Sequence, residues 1–256
     1  MPTQTMNEQC KSPIQSLAIM QWESAPPHLT LPDEEIHLWC AKLREPAAHL
    51  LQTLSHDERV RAQRFRFPRD QDQFVMARGT LRAILAQYLN VAPASLQFGY
   101  EKNGKPYLRM ASGLRSPLQF NVSHTHGLAL YAMAWYHPLG VDVEQAHAKL
   151  ADALTAQQFL SPTELMAFQR LPQPLQSTAF FNSWTCKEAV LKAMGAGLSV
   201  APDTIAVTLD EKAAPRWIEV PAAASPWSLW QFTPQPGYVG ALAMQGEGAA
   251  VRFYCF

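Results

Sequence analysis

Asp142 and Glu144 stand two apart in Val141-Asp142-Val143-Glu144, a run of strand-forming residues. Side chains alternate across a β-strand, so both carboxylates share one face and the two valines the other. Like charges held this close repel unless a cation or a shared proton relieves them. An all-oxygen donor set suits Mg2+, with Mn2+ as the substitute, better than zinc. The same spacing fits a solvated strand edge, and taken alone it leaves both readings open.

A third carboxylate lies further along the chain. Trp184, Glu188 and Leu191 fall at i, i+4 and i+7, which puts Glu188 inside the apolar stripe of a helix. An unpaired charge there is costly, so Glu188 needs a metal or a cationic partner. Lys192, one turn on, could supply an ordinary helical ion pair, and that alternative also stays open. Lys187 falls at the edge of the same stripe, and two ammonium groups beside a metal-competent carboxylate suit a phosphate.

The elements that must position these groups are legible around them. The acidic strand follows an apolar run over residues 128–136 after His137-Pro138-Leu139-Gly140, which reads as a β-hairpin. The helix bearing Glu188 is expected over 178–194, with Gly195 ending it, and Ser161-Pro162-Thr163-Glu164 opens a shorter helix before it. In the first half, residues 35–40 alternate as a strand with Ile36, Leu38 and Cys40 on one face. Ser55 with Glu58 forms a capping box, and Phe74, Leu81, Leu85 and Tyr88 place a long helix over 70–88 that also carries Arg78 and Arg82. Strands are expected over 204–209, 227–233, 238–244 and 250–256, with Trp217, Trp227 and Trp230 as core. The class is α+β. Residues 1–30 read as a loosely held arm with one short strand near 17–20, residues 31–137 as an N-terminal lobe and residues 138–256 as a C-terminal lobe. Each lobe has one long amphipathic helix with flanking strands.

Gly140-Val141-Asp142-Val143-Glu144, followed by Trp184-Thr185-Cys186-Lys187-Glu188-Ala189-Val190-Leu191-Lys192, resembles the motif pair of Sfp-type 4′-phosphopantetheinyl transferases. Gly104-Lys105-Pro106 and Asn121-Val122-Ser123-His124-Thr125 are similar to the family's upstream elements and occur in the same order. The resemblance implies two similar α+β lobes related by a pseudo-twofold axis, with coenzyme A in the cleft between them and Mg2+ on its diphosphate. It implies transfer of the 4′-phosphopantetheine group to a serine of an apo acyl or peptidyl carrier protein, releasing 3′,5′-ADP. By motif position Asp142, Glu144 and Glu188 would hold the metal. Lys105, Ser123, His124, Asp142, Lys187 and Lys192 would contact coenzyme A, and Arg69 and Arg78 are candidates for its 3′-phosphate. Glu188, directly or through a metal-bound water, would accept the serine proton, and Lys192 would assist the leaving group.

Composition bounds the remaining possibilities. The chain has 256 residues, 48% hydrophobic and 16% charged, with 21 basic residues balancing 21 acidic ones. That balance gives no electrostatic case for a nucleic-acid or membrane-surface binder, so any anion site is local. An acidic carrier would need a local basic patch, for which the stretch from Arg59 to Arg69 is the candidate. Cys10, Cys40, Cys186 and Cys255 are scattered without a ligand pattern, and no segment reads as a signal peptide or membrane span, so a cytoplasmic setting is expected. His124-Thr125-His126 alternates like a metal pair but has no third ligand at zinc spacing. Both sides of the implied cleft lie in one chain, so the expected state is a monomer.

Overall fold

The computed structural model describes residues 12–43, 48–146, 153–210, 212, 214–220 and 226–256. The polar start, including Cys10, lies outside these residues. The first half runs β1 (Ser12–Ile19), β2 (Glu23–Ser24), β3 (Glu35–Lys42), α1 (Ala48–Thr53), α2 (His56–Gln63), α3 (Pro68–Leu89), β4 (Gln97–Tyr100), β5 (Pro106–Arg109), β6 (Leu118–Thr125) and β7 (Leu128–Trp135). The second runs β8 (Leu139–Gln145), α4 (Ala153–Phe159), α5 (Pro162–Arg170), α6 (Gln173–Met194), β9 (Ala206–Leu209), β10 (Pro215–Glu219), β11 (Trp227–Thr233), β12 (Tyr238–Gln245) and β13 (Ala250–Cys255).

The strands form two main sheets, ordered β8-β12-β11-β1-β10-β9 and β2-β13-β3-β7-β6, with β4 and β5 as a separate hairpin. Each sheet carries one 22-residue helix. Period-two alternation sorts the side chains into layers. Trp39, Tyr131 and Met133 face α3, whose Leu81, Ile84 and Leu85 complete that core. On the other face Ile36, Leu38 and Leu130 meet Val141, Val143, Phe232 and Leu242 of the second sheet. That sheet's far face packs Ala241, Ala243 and Leu229 under Ala189, Val190 and Ala193 of α6. Asp142 therefore faces α6 because its valine neighbours are committed to the layer between the sheets. The mixed α+β class is as the sequence implies.

Three expectations need correction. Residues 12–19 are not loosely held, since β1 lies between β10 and β11 in the second sheet. The run after β7 does not fold back as a hairpin. Tyr136 adopts φ 63°, Pro138 follows, and β8 leaves to pair with β12 while β7 pairs with β3 and β6. Trp217 is 42% exposed, whereas Trp227 and Trp230 are buried. The last strand, β13, returns to the first sheet and pairs in parallel with β3, so each lobe's sheet takes a strand from the opposite end of the chain.

Candidate active site

Strands β6 and β8 are edges of different sheets, and side chains join them where a backbone ladder would otherwise run. Val141 N donates to Asn121 Oδ1 at 2.9 Å and Val143 N to Ser123 Oγ at 3.3 Å. Asp142, 3% exposed, lies between these two anchoring points. Its Oδ1 accepts from Ser123 Oγ at 2.9 Å and from Lys192 Nζ at 2.6 Å, and Lys192 Nζ also donates to Ser123 Oγ at 2.9 Å. Among the described residues the buried Asp142 Oδ2 atom has no hydrogen-bond partner.

Helix α6 reaches this strand because residue 140 has no side chain. A Cβ on Gly140 would lie 2.1 Å from the Ala189 carbonyl oxygen and 2.4 Å from the Ala193 nitrogen, both backbone atoms. The glycine of the acidic motif thus sets the distance between the strand bearing Asp142 and the helix bearing Glu188 and Lys192. The helix ends at Gly195, whose φ of 65° is the left-handed cap expected there.

The three carboxylates feel one another. Burial and the neighbouring Asp142 charge push Glu144 up to about 7, partly offset by Lys192 and by hydrogen bonds from Trp184 and Thr125. Burial and Asp142 also raise Glu188, again against Lys192. Burial, and then the Lys192 charge, lower His124. Among the described residues no three acidic, histidine or cysteine side chains are already gathered at metal-binding spacing.

Three cavities adjoin this cluster. One of about 310 Å3 has Lys105, Asn121, Glu188 and Lys192 in its wall. A second, about 490 Å3, shares Pro106 and Val122 with the first and adds Arg61, Phe74, Arg78 and His124. A third, about 770 Å3, shares Gln73 and His124 with the second and reaches exposed Arg69. A long polar ligand could run from the carboxylates past His124 toward these arginines.

The structure thus brings together Asp142, Ser123 and Lys192 by direct bonds, with Glu144, Glu188 and His124 beside them. Three expected contacts sit differently. The Lys105 ammonium is engaged with the carbonyl oxygens of Leu139 and Ala193, at 3.2 and 2.9 Å. Arg78 is shared between Glu58, at 2.5 Å, and the Tyr100 hydroxyl, at 2.9 Å, and its guanidinium lies over the Phe98 ring. Lys187 is not beside the carboxylates. It is fully buried on the other side of α6, donating to Glu164 Oε2 at 2.6 Å and to the Phe159 carbonyl at 2.9 Å. The reason is packing. A charge with no exposure must be paired, and Glu164, held by its own capping box on α5, supplies the pair.

Arg61 joins this site from outside the sequence motifs. It projects from α2 into the wall that also contains His124, while its neighbour Glu58 is consumed by Arg78 and Arg82. The signal available was its place three residues after the capping-box glutamate, one turn along the same helix. Trp184 and Thr125, the partners of Glu144, come from different elements, which no local spacing connects.

With this geometry in place, comparison with known proteins is specific. Residues 138–243 match the family model described as the 4′-phosphopantetheinyl transferase superfamily, and residues 38–135 match the model of a 4′-phosphopantetheinyl transferase N-terminal region. The chain is 38% identical to the 4′-phosphopantetheinyl transferase HetI of Nostoc sp., over 91% of this chain and 97% of that protein. It is 27% identical to the 4′-phosphopantetheinyl transferase psf-1 of Bacillus pumilus over 81% of this chain and 85% of the relative. It is 24% identical to the 4′-phosphopantetheinyl transferase Sfp of Bacillus subtilis over 76% and 84%. Matches across both halves, together with the strand and helix motifs meeting at Asp142 and Lys192, lead to one assignment: the chain belongs to the 4′-phosphopantetheinyl transferase superfamily.

Proposed function

We propose that the cleft beside Asp142 binds coenzyme A with Mg2+ held by Asp142, Glu144 and Glu188, and that Glu188 and Lys192 serve the transfer. As a family member the protein moves the 4′-phosphopantetheine group of coenzyme A to a carrier protein. The observation that carries the metal reading is the buried Asp142 Oδ2 atom, left without a partner among the described residues although Oδ1 has two. A buried carboxylate oxygen in that state is costly, and a hard cation is the natural ligand for an all-oxygen set. The raised Glu144 and Glu188 fit the same picture, since each is destabilised as an anion by Asp142 and would be relieved by a divalent charge.

When bound, Mg2+ would neutralise charge on the diphosphate. Lys192 adds a fixed positive charge beside Asp142, in a position to meet negative charge developing on the leaving 3′,5′-ADP. Ser123 holds that ammonium and the β8 backbone together, so its contribution to coenzyme A binding is to keep this end of the site in register. Glu188, beside Asp142 and Lys192, accepts the proton from the attacking serine of the carrier. His124 and Arg61 share one wall and suit the 3′-phosphate, with Arg69 farther along.

An acidic carrier would meet the basic stretch from Arg59 to Arg69 that flanks this groove. Among the described residues no helix is long and apolar enough to cross a membrane. A cytoplasmic monomer without nucleic-acid or membrane partners completes the reading. The test is intact-mass measurement of apo acyl and peptidyl carriers after incubation with the protein, coenzyme A and Mg2+. A gain of one phosphopantetheinyl group that disappears with chelator supports the proposal. A gain that persists after complete chelation removes the metal from it.

A further inference from the structure

We propose that the Lys105 side chain has a positioning role, its ammonium clamping the C-terminal end of α6 to the start of β8 instead of binding a coenzyme A phosphate. Lys105 follows the tight turn of the β4-β5 hairpin, where Glu101 N donates to the Lys105 carbonyl at 2.9 Å and Gly104 adopts φ 83°. From there its ammonium reaches the Ala193 carbonyl on α6, at 2.9 Å, and the Leu139 carbonyl that opens β8, at 3.2 Å.

Hydrogen-bond accounting explains why these contacts matter. The last carbonyls of a helix have no partner within it. Here Leu191 and Lys192 carbonyls are taken by Ala196 and Gly195 backbone N–H groups. Lys105 takes Ala193, and Asn103 Nδ2 donates to the carbonyls of Gly195 and Ala196, both at 3.0 Å. The hairpin turn of the first lobe therefore completes the helix end of the second. A cation at a helix C-terminus is also favoured by the helix dipole.

The clamp sits one residue from Lys192 and one from Gly140, the two points that fix α6 against the strand of Asp142. Drawing the ammonium onto a phosphate would strip the donor from both carbonyls. Burial brings the Lys105 ammonium down to about 8, with the Glu101 charge opposing the shift.

Only the kinetic readout rests on the transferase reading. The experiment compares the full-length protein with Lys105→Met, Lys105→Arg and Asn103→Ala. If Lys105 positions α6, Lys105→Met lowers kcat about tenfold with the KM for coenzyme A within about twofold, because a displacement near 1 Å is enough to slow chemistry without touching substrate. Lys105→Arg, which can donate to both carbonyls, restores most of kcat, and Asn103→Ala gives a smaller loss of the same kind. Hydrogen exchange gives a readout that needs no activity. Amides of the last turn of α6 exchange faster in Lys105→Met while those of α3 stay as they are. A tenfold rise in KM with kcat preserved makes Lys105 a substrate ligand and overturns the proposal, as does unchanged exchange at the helix end. If the wild type transfers nothing yet the helix end loosens in Lys105→Met, the clamp stands and the transferase reading falls.

Discussion

The Lys192 ammonium lies 2.6 Å from Asp142 Oδ1, while Oδ2 of the same carboxylate is buried with no partner among the described residues. The described residues thus hold one oxygen and not the other. Lys192 is bound to Ser123 on β6 as well, so it ties α6 to both edge strands. Removing its charge as Lys192→Met should lower kcat by about 100-fold or more, the scale of losing a preorganised charge in an active site. The fold should persist at reduced stability, because Lys192 itself is partly exposed while buried Asp142 loses its charge partner. Single-turnover transfer alongside circular dichroism checks this, and near-normal turnover would remove Lys192 from the chemistry.

Gly140→Ala tests the approach of helix to strand. The added methyl would meet the backbone of Ala189 and Ala193 at 2.1 and 2.4 Å, so no rotamer change relieves it and α6 must move. Overpacking of this kind costs about 1–3 kcal/mol. It should also reduce kcat by about 100-fold, since Glu188 and Lys192 move with the helix. Thermal denaturation and steady-state kinetics measure the two effects. Stability loss without any kinetic effect would mean that the helix-to-strand distance does not govern the reaction.

What the sequence made legible is what is local. The alternation around Asp142, the capping boxes at Ser55 and Ser161 and the left-handed Gly195 depend on residues within a turn or a strand of each other, and all are present. The side of α6 to which Lys187 turns was not legible. That helix is covered on most of its circumference, with Phe181, Thr185, Cys186 and Lys187 all buried, so period alone cannot separate its faces. The partner of Lys187, Glu164, and the partner of Arg78, Glu58, come from other helices 23 and 20 residues away. The exchange of β1 and β13 between sheets pairs residues at opposite ends of the chain, which no local signal encodes.

The Lys187 and Glu164 pair predicts a specific stability pattern. Both side chains are essentially unexposed, and Glu164 Oε1 also accepts from Ser183 Oγ at 2.5 Å. Removing one partner leaves a buried charge uncompensated, so Lys187→Met and Glu164→Gln should each cost about 3–5 kcal/mol. The double variant should recover part of that loss. The KM for coenzyme A should stay unchanged in whatever fraction of Lys187→Met remains folded, because the ammonium points to α5 and not to the cleft. Denaturant unfolding of the three variants measures the coupling, and strictly additive losses would show that the pair does not interact.

The raised carboxyl groups predict how metal and pH act together. Glu144 rises from 4.5 to about 7, and Glu188 moves in the same direction. A carboxyl that keeps its proton longer when folded makes the folded state lose stability as pH rises from about 4.5 to about 7, with a plateau above. A divalent cation on the same oxygens displaces those protons and removes the penalty, so binding strengthens over the same range. The rise in melting temperature on adding Mg2+ should therefore be small near pH 5 and largest near pH 8. Glu144→Gln cannot ionise, and it should flatten both the metal-free pH dependence and the growth of the Mg2+ effect. Melting curves across this range, with and without Mg2+, decide the matter. A Mg2+ effect that is the same at both ends in the wild type would place the cation away from Glu144.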